Sequence, residues 1–483
     1  MMVTRARWPL SRRVFAIAAA VSALAGCAAS PPAPEPPASP AKPSSTGSAH
    51  YAVMFDPTGL LEVQVEAPAG TLAELTIERG AEDYVTALEV APTGGAFEKV
   101  AHPTFPLRLA PCKRSCSLRY KLDLASAARD FDNPQFADAL GGGFLAPPTT
   151  WLLRPLEARA QPFELVVKTP GSAFVSGLAP RADGSFGASL ADLSQAPYSA
   201  FGPFVPHVIE IGDARVNVVR VGPEPAVGDA AVFAWVARAA GDIAALLGEF
   251  PQKHTLVIVV VGGGQSIANG SALGNGGASV IVHVGADIQA ARFADDWILT
   301  HELVHVAMPG LSSKHSWMEE GMATFLEPVA RARTGHLLAS EVWSEWYYAM
   351  WQGQPLQGDA GLDGTRSWGR LYWGGAVFWL LADVAIREQT SGEKSVRDCL
   401  RGANRDGGTI AARFSIERFL SACDREIGQP IVRNLYNQVA DRPVTFDLDA
   451  LFAKLGVKKA TRGVEFDDAA PGASLRKKML SPD

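Results

Sequence analysis

The chain has 483 residues, of which 47% are hydrophobic and 19% charged, with 46 glycines and 34 prolines. That length supports two or three domains with substantial cores. A formal net charge of −6 and the lack of any basic run argue against nucleic acid as a partner.

The first elements in chain order are targeting signals rather than fold. Arg5, Arg7, Arg12 and Arg13 form a positive stretch ahead of the apolar run Val14 to Ala25, which is too short to span a bilayer as a helix. "LAGC" (Leu24 to Cys27) then resembles a bacterial lipobox, in which Cys27 is lipidated and becomes the mature N-terminus. "SRRVF" also resembles a twin-arginine export signal, so either export route is open. Loss of residues 1–26 removes four arginines and no acid, taking the formal charge from −6 to −10. Residues 27–49 contain "SPPAPEPPASPAKPSSTGS", a Pro/Ala/Ser-rich spacer that cannot build a core. These signals place the protein in a bacterial cell envelope, bound to a membrane by its lipid, with the outer membrane or periplasmic face favoured. Ala28 supports the outer membrane, because it is not the aspartate that retains some lipoproteins at the inner one.

Four cysteines remain after Cys27, an even number suited to an oxidising compartment. "PCKRSC" brings Cys112 and Cys116 within reach of a small loop disulfide. Cys399 and Cys423 fall on neighbouring predicted helices and form the expected second bridge.

Residues 50–215 read as a β-rich domain of antiparallel sandwich type. "LLEVQVEA", "AELTIER", "YVTALEVA", "SLRYKLDLA", "FELVVKT" and "HVIEI" are short alternating or β-branched runs between Gly/Pro turns. No internal repeat is visible. From 216 the pattern changes to a strand "VNVVRVG", a helix "GDAAVFAWVARAAGDIAALLGEF", a buried strand "TLVIVVVGGG" and a strand "GNGGASVIVHVG" that reads as an exposed edge. "ADDWILTHELVHVAM" follows, apolar at helical spacing, with Trp297, Ile298, Val304 and Ala307 on its expected buried side. Strands feeding such a helix make an α+β catalytic unit, assigned to 216–400. Helices are predicted over 317–332, 338–352, 368–387, 395–403, 414–426 and 428–439. Residues 401–460 form a C-terminal helical region, and 461–483 a polar, frayed tail.

"HELVH" carries the chemistry. On a helix, residues four apart share a face, so His301 and His305 can bind one ion through their imidazoles. Glu302 is rotated off that axis, where it can act as general base toward water without ligating. A third ligand is required, and a catalytic zinc leaves its fourth position to water. Leu311 stands where a histidine would mark the metzincin pattern, and His315 lies in a Ser/Lys-rich loop that reads as solvated. "WMEEGMATF" begins an apolar helix, and its adjacent carboxylates, Glu319 and Glu320, point about 100° apart. One of them can face a metal.

"HELVH…WMEEGMATF" resembles the gluzincins, the clan that holds thermolysin and the aminopeptidase N family. The resemblance implies that Glu320, directly before Gly321, is the third ligand of one zinc per chain. Fourteen residues separate His305 from Glu320, fewer than in aminopeptidase N-like enzymes, and the short loop "PGLSSKHS" absorbs the difference. "RLYWGGAVFWLLADVAIREQTSGEKSVRDCLR" is most similar to the bacterial glycyl aminopeptidase family. By that likeness Tyr372 hydrogen-bonds the oxyanion and Gly375 matches the family glycine, although Gly374 replaces the family lysine. The plainer reading of Tyr372 is an aromatic packing on Trp368 and Trp373.

Aminopeptidases of this kind capture the substrate amine with an acid on a Gly-rich strand. Here "GNGGASVIV" reads as the matching stretch, with no acid near Ala278 and Ser279. Gly277 and Ser279 remain as backbone contacts for a peptide, with Glu319 as a substitute amine contact, so exo- and endopeptidase stay equally open. The expected fold is thus multidomain α+β: a β-sandwich-like N-terminal domain, a thermolysin-like catalytic domain carrying the HExxH helix, and a C-terminal helical region. The expected function is a lipid-anchored zinc metallopeptidase acting on peptides or proteins. The alternatives are an inactive gluzincin-fold surface lipoprotein that binds a partner, or a zinc hydrolase of a non-peptide amide. Nothing in the sequence specifies an oligomeric state.

Overall fold

The computed structural model describes residues 47–131 and 133–482. The signal segment, Cys27 and nearly all of the spacer lie outside the described residues.

The N-terminal part is built on a six-stranded sheet in the order 163–168, 49–55, 60–67, 116–123, 85–92, 98–99. Its first strands bury every second residue, as a sheet with one face in the core demands: Tyr51, Val53 and Phe55, then Leu61, Val63 and Val65. Two small sheets of three and four strands complete this layer. Its core is separate from that of the rest of the chain and centres on Trp151, Phe163 and Phe201. Cys112 and Cys116 are bridged at the start of strand Cys116–Asp123.

The second part begins earlier than its sequence suggests. "HVIEI" (His207–Ile211), expected in the N-terminal domain, forms a hairpin with Ala214–Val221 and so belongs to the following sheet. The Gly212–Asp213 pair makes the tight turn, a hairpin signal that outweighs the preceding run of strands. The five-stranded sheet has the order 207–211, 214–221, 254–262, 278–285, 267–274. Its three middle strands are parallel, and His254–Gly262 is buried from Thr255 to Val261, as a strand covered on both faces must be. A second correction concerns the edge. Strand Ala278–Gly285, expected there, is internal, and Ile267–Gly274 pairs antiparallel to its outer side and forms the edge.

Helix Asp229–Leu247 is long and apolar enough to cross a bilayer by composition, yet its Val232, Trp235, Val236, Ile243 and Leu246 are buried in the main core. Later helices cover Ile298–Val306, Ser316–Arg333, Ala339–Ala349, Gly375–Gln389, Val396–Arg405, Ile416–Ile427 and Ile431–Val439, close to the predicted spans. Cys399 and Cys423 join two of them. The expected polar tail is instead structured: a hairpin, Val457–Lys459 with Val464–Phe466, leads to helix Ala473–Leu480. "ASLRKKML" is amphipathic. Met479 and Leu480 enter the main core, and buried Arg476 donates to the carbonyls of Leu455 and Gly456 at 2.9 and 2.7 Å.

Candidate active site

Two helices and one strand edge build the site. The histidine helix, Ile298–Val306, is fixed by Leu299, Leu303 and Val304 in the core. Asp296 closes the N-terminus of this helix and does not orient His301. Its carboxylate accepts from the backbone N–H groups of Ile298 and Leu299 at 3.0 and 3.1 Å and from the Trp235 indole at 3.0 Å. The glutamate helix, Ser316–Arg333, crosses beside it. Its Thr324 hydroxyl bonds back to the Glu320 carbonyl at 2.7 Å, so it orients no histidine.

Glu320 points between the two imidazoles. Its Oε2 lies 3.3 Å from His301 Nε2 and 3.5 Å from His305 Nε2, and one ligand atom from each residue falls within 4.8 Å of the others. Two ligands about 2.0–2.1 Å from a common tetrahedral ion stand roughly 3.4 Å apart, so the nitrogen–oxygen set fits zinc. Burial alone would raise the Glu320 pKa, but His305 and His301 outweigh it and hold the carboxyl below its ordinary range. For His305, burial works downward and is overcome by Glu320 and Glu302, which lift it to about 9. A carboxylate and an imidazole that act on one another this strongly are arranged for a cation.

Glu302 faces the same cleft. Burial raises its pKa against the pull of the two histidines, and the Ala272 backbone N–H donates to it. Gly270 is what permits this approach, because a Cβ there would sit 2.5 Å from the Glu302 Cγ. Tyr372 lies on a π-helical turn, Arg370–Gly374, that runs into helix Gly375–Gln389. Its hydroxyl donates to Glu320, and burial first, then Glu320 and Glu302, push its pKa well upward. The ring stacks between His301, with centroids 6.0 Å apart, and Trp368, at 5.4 Å. The ring thus packs on Trp368, one of the two tryptophans expected, while Tyr372 also lines the cleft.

The helices approach this closely because two glycines face each other. A Cβ on Gly321 would meet the Gly375 backbone at 2.3 Å, and one on Gly375 the Trp317 carbonyl at 2.0 Å. The glycines that follow the glutamate and the tyrosine in sequence are thus the contact that sets Tyr372 over Glu320.

The cleft encloses about 360 Å³ and is lined by Glu302, His305, Glu319, Glu320 and Tyr372, with the edge residues Gly270 to Asn275 along one wall. Glu319 accepts from the Leu311 N–H at 3.1 Å, and burial raises it to about 7. The two remaining sequence candidates do not line this cleft. Ser279 is fully buried, accepts from the Tyr198 N–H at 2.8 Å and donates to the Leu273 carbonyl at 3.1 Å. Gly277 packs against the Gly177 carbonyl and bridges to Leu178. Both therefore hold the N-terminal domain against the sheet. The register explains the difference: the strand that faces the cleft is "IANGSALG", one strand earlier. His315 also departs from its solvated reading. It is 2% exposed, and its Nδ1 lies 3.0 Å from Asp363. Gln195, Asn275 and Arg413 line the cleft and carry no signal in the sequence motifs.

No protein-family model and no curated protein matches the chain. Among solved structures, it is similar to an aminopeptidase N family protein from Idiomarina loihiensis, with a TM-score of 0.64 and 15% identity over 85% of this chain and 78% of that one. An M1 zinc metallopeptidase from Deinococcus radiodurans gives a TM-score of 0.52 and 14% identity over 83% of this chain and 94% of that one. A mutant of the latter bound to a Tyr-Ser-Ala substrate gives 0.50 and 14% over the same shares. The chain has the fold of the M1 zinc metallopeptidases, as its motifs implied.

Proposed function

We propose that this protein is a zinc-dependent peptidase holding one zinc per chain on His301, His305 and Glu320. The observation that carries the reading is the convergence of three ligand atoms within 4.8 Å, with Glu302 and Tyr372 facing the same cleft. Zinc held there would polarise the scissile carbonyl and acidify the attacking water. Glu302, oriented by the Ala272 N–H, takes the proton from that water and returns it to the leaving amine. Tyr372 stays protonated across the working pH range and supplies an O–H donor where negative charge develops on the former carbonyl oxygen. The peptide Tyr-Ser-Ala bound to the Deinococcus mutant supports a peptide substrate here.

The same reading places the folded part outside the cytoplasm, anchored through a lipid on Cys27. The charged n-region, "LAGC" and the Pro-rich spacer support this, and so do the two disulfides. The test is metal analysis of the soluble chain from residue 48, followed by incubation with a mixed peptide library beside Glu302→Gln. One zinc per chain in both proteins and cleavage only by the parent is the expected result. Equal cleavage by both, or no zinc in either, would overturn it.

A further inference from the structure

The end of the cleft beyond Glu319 has a feature that peptide hydrolysis alone does not require. Arg413 is the one arginine or lysine among the described residues lining the cavity. It is exposed, and its charge is felt by Glu319 on the same cleft wall, where it works against the effect of burial on that carboxyl. One of its Nη1 hydrogens goes to Gln195 Oε1, and Nη2 donates to the Leu311 carbonyl at 3.3 Å. Both acceptors are neutral, so the guanidinium keeps its charge and most of its donors for something else.

The arginine is held by its surroundings. Gln195 Oε1 also accepts from Asn275 Nδ2 at 3.0 Å, joining the N-terminal domain to the end of the edge strand. The segment that carries Arg413 is sewn to the cleft wall by backbone bonds: Asn275 N–H to Ile410 at 2.9 Å, Gly276 N–H to Ala411 at 2.8 Å and Gly310 N–H to Ala412 at 2.9 Å. This segment also occupies the place where an acid on the edge strand would reach. A Cβ on Gly274 would lie 2.1 Å from the Ile410 carbonyl oxygen, so no side chain fits at that cleft-lining position.

A peptide adding antiparallel to the free edge of Ile267–Gly274 runs against the strand, which lays its N-terminal side beside Gly274 and Arg413. A free α-amine would there meet a fixed positive charge, and a carboxylate would meet a pre-placed fork of donors. We propose that Arg413 is a specificity-determining residue that receives a carboxylate on the N-terminal side of the scissile bond. The carboxylate belongs either to an acidic side chain or to an acyl cap. The inference rests on reading this cleft as the peptide site.

Binding, measured without turnover, tests it. Zinc-loaded Glu302→Gln protein is titrated in a calorimeter with four peptides of one sequence: N-succinylated, N-acetylated with glutamate at the first position, N-acetylated and neutral, and with a free amine. The titrations are repeated in Glu302→Gln/Arg413→Gln and Glu302→Gln/Arg413→Lys. We expect at least one anionic peptide to bind about tenfold or more tightly than the acetylated neutral one. Arg413→Gln should bring that ratio close to one, and Arg413→Lys should restore part of it. Which anionic peptide responds identifies the source of the carboxylate. Tightest binding of the free-amine peptide, with Glu319 as its partner, would overturn the proposal. So would a ratio unmoved by Arg413→Gln, or no measurable binding of either anionic peptide. Thermal melts of both variants confirm folding, and the lysine form keeps the test open if the glutamine form is unstable. Cleavage of the same peptides by the parent separates the two readings. Arg413-dependent binding without Glu302-dependent cleavage overturns the peptidase and leaves the carboxylate site.

Discussion

Glu302 and Tyr372 share the cleft, and the proposed mechanism has them act at different moments, so their variants should separate. Glu302→Gln keeps the size of the side chain and removes the base. Zinc content should be unchanged while kcat falls by about 10²–10⁴-fold, read from initial rates alongside metal analysis. Tyr372→Phe keeps the ring on Trp368 and removes only the O–H. In the proposed mechanism that donor meets charge that exists only in the transition state, so kcat should fall by about 10²–10³-fold with KM nearly unchanged. A loss confined to KM would mean that the hydroxyl holds ground-state substrate instead. His301 and His305 are legible as a pair because a helix converts a spacing of four into a shared face, whereas Glu320 is told from Glu319 only by the gluzincin resemblance. Ser279 and Gly277 mislead because strand order is not written in spacing: "GNGGASVIV" and "IANGSALG" look alike until pairing places the second at the edge. Arg413 lies far from every motif in sequence and reaches the cleft only through backbone bonds to Asn275, Gly276 and Gly310.

At the scale of elements, the crossing of Ser316–Arg333 with Gly375–Gln389 decides whether Tyr372 can reach Glu320. Gly321 and Gly375 meet backbone to backbone, with no flexible side chain to yield. Gly321→Ala or Gly375→Ala must push the helices apart, and overpacking of this kind costs about 1–3 kcal/mol. Helix propensity works the other way, by up to about 1 kcal/mol, because alanine is the better helix former. A net loss of stability in chemical denaturation, with a fall in kcat similar to that of Tyr372→Phe, is the expected pair of outcomes. Stabilisation with full activity would show that the helices have room to slide. The longer helices from 298 to 439 are readable to within a few residues because each carries an apolar stripe at helical spacing, whereas Leu124–Asp130 and Ala473–Leu480 are too short for one to be read from sequence. The two hairpins at 207–221 and 457–466 are not, because each depends on a turn and a partner strand more than on its own composition.

On the scale of the whole molecule, the five-stranded sheet, the glutamate helix and the C-terminal helices share one core, and a single carboxylate ties the glutamate helix to helix Ile431–Val439. Asp363 accepts from His315 Nδ1 at 3.0 Å and the Trp317 indole at 2.8 Å with one oxygen, and from the Tyr436 hydroxyl at 2.8 Å with the other. These donors come from the loop after the histidine helix, the start of the glutamate helix and helix Ile431–Val439. Burial pushes the Asp363 carboxyl up, but the bonds from His315, Trp317 and Tyr436 win and hold it below its ordinary value. A depressed folded pKa stabilises the fold above the unfolded carboxylate pKa of about 3.9, and that stability drains away as pH falls through the folded value. Asp363→Asn keeps the shape and gives up the charge, so at pH 7 it should lower unfolding stability by on the order of 2 kcal/mol. The gap between parent and variant should stay constant from pH 7 down to about 4 and narrow below it, because the parent then takes up a proton that the amide of the variant never binds. Urea midpoints collected on both proteins at pH 7, 5 and 3 measure this directly. A gap that is the same at all three values would mean that packing around Asp363, and not its charge, joins the C-terminal helices to the site.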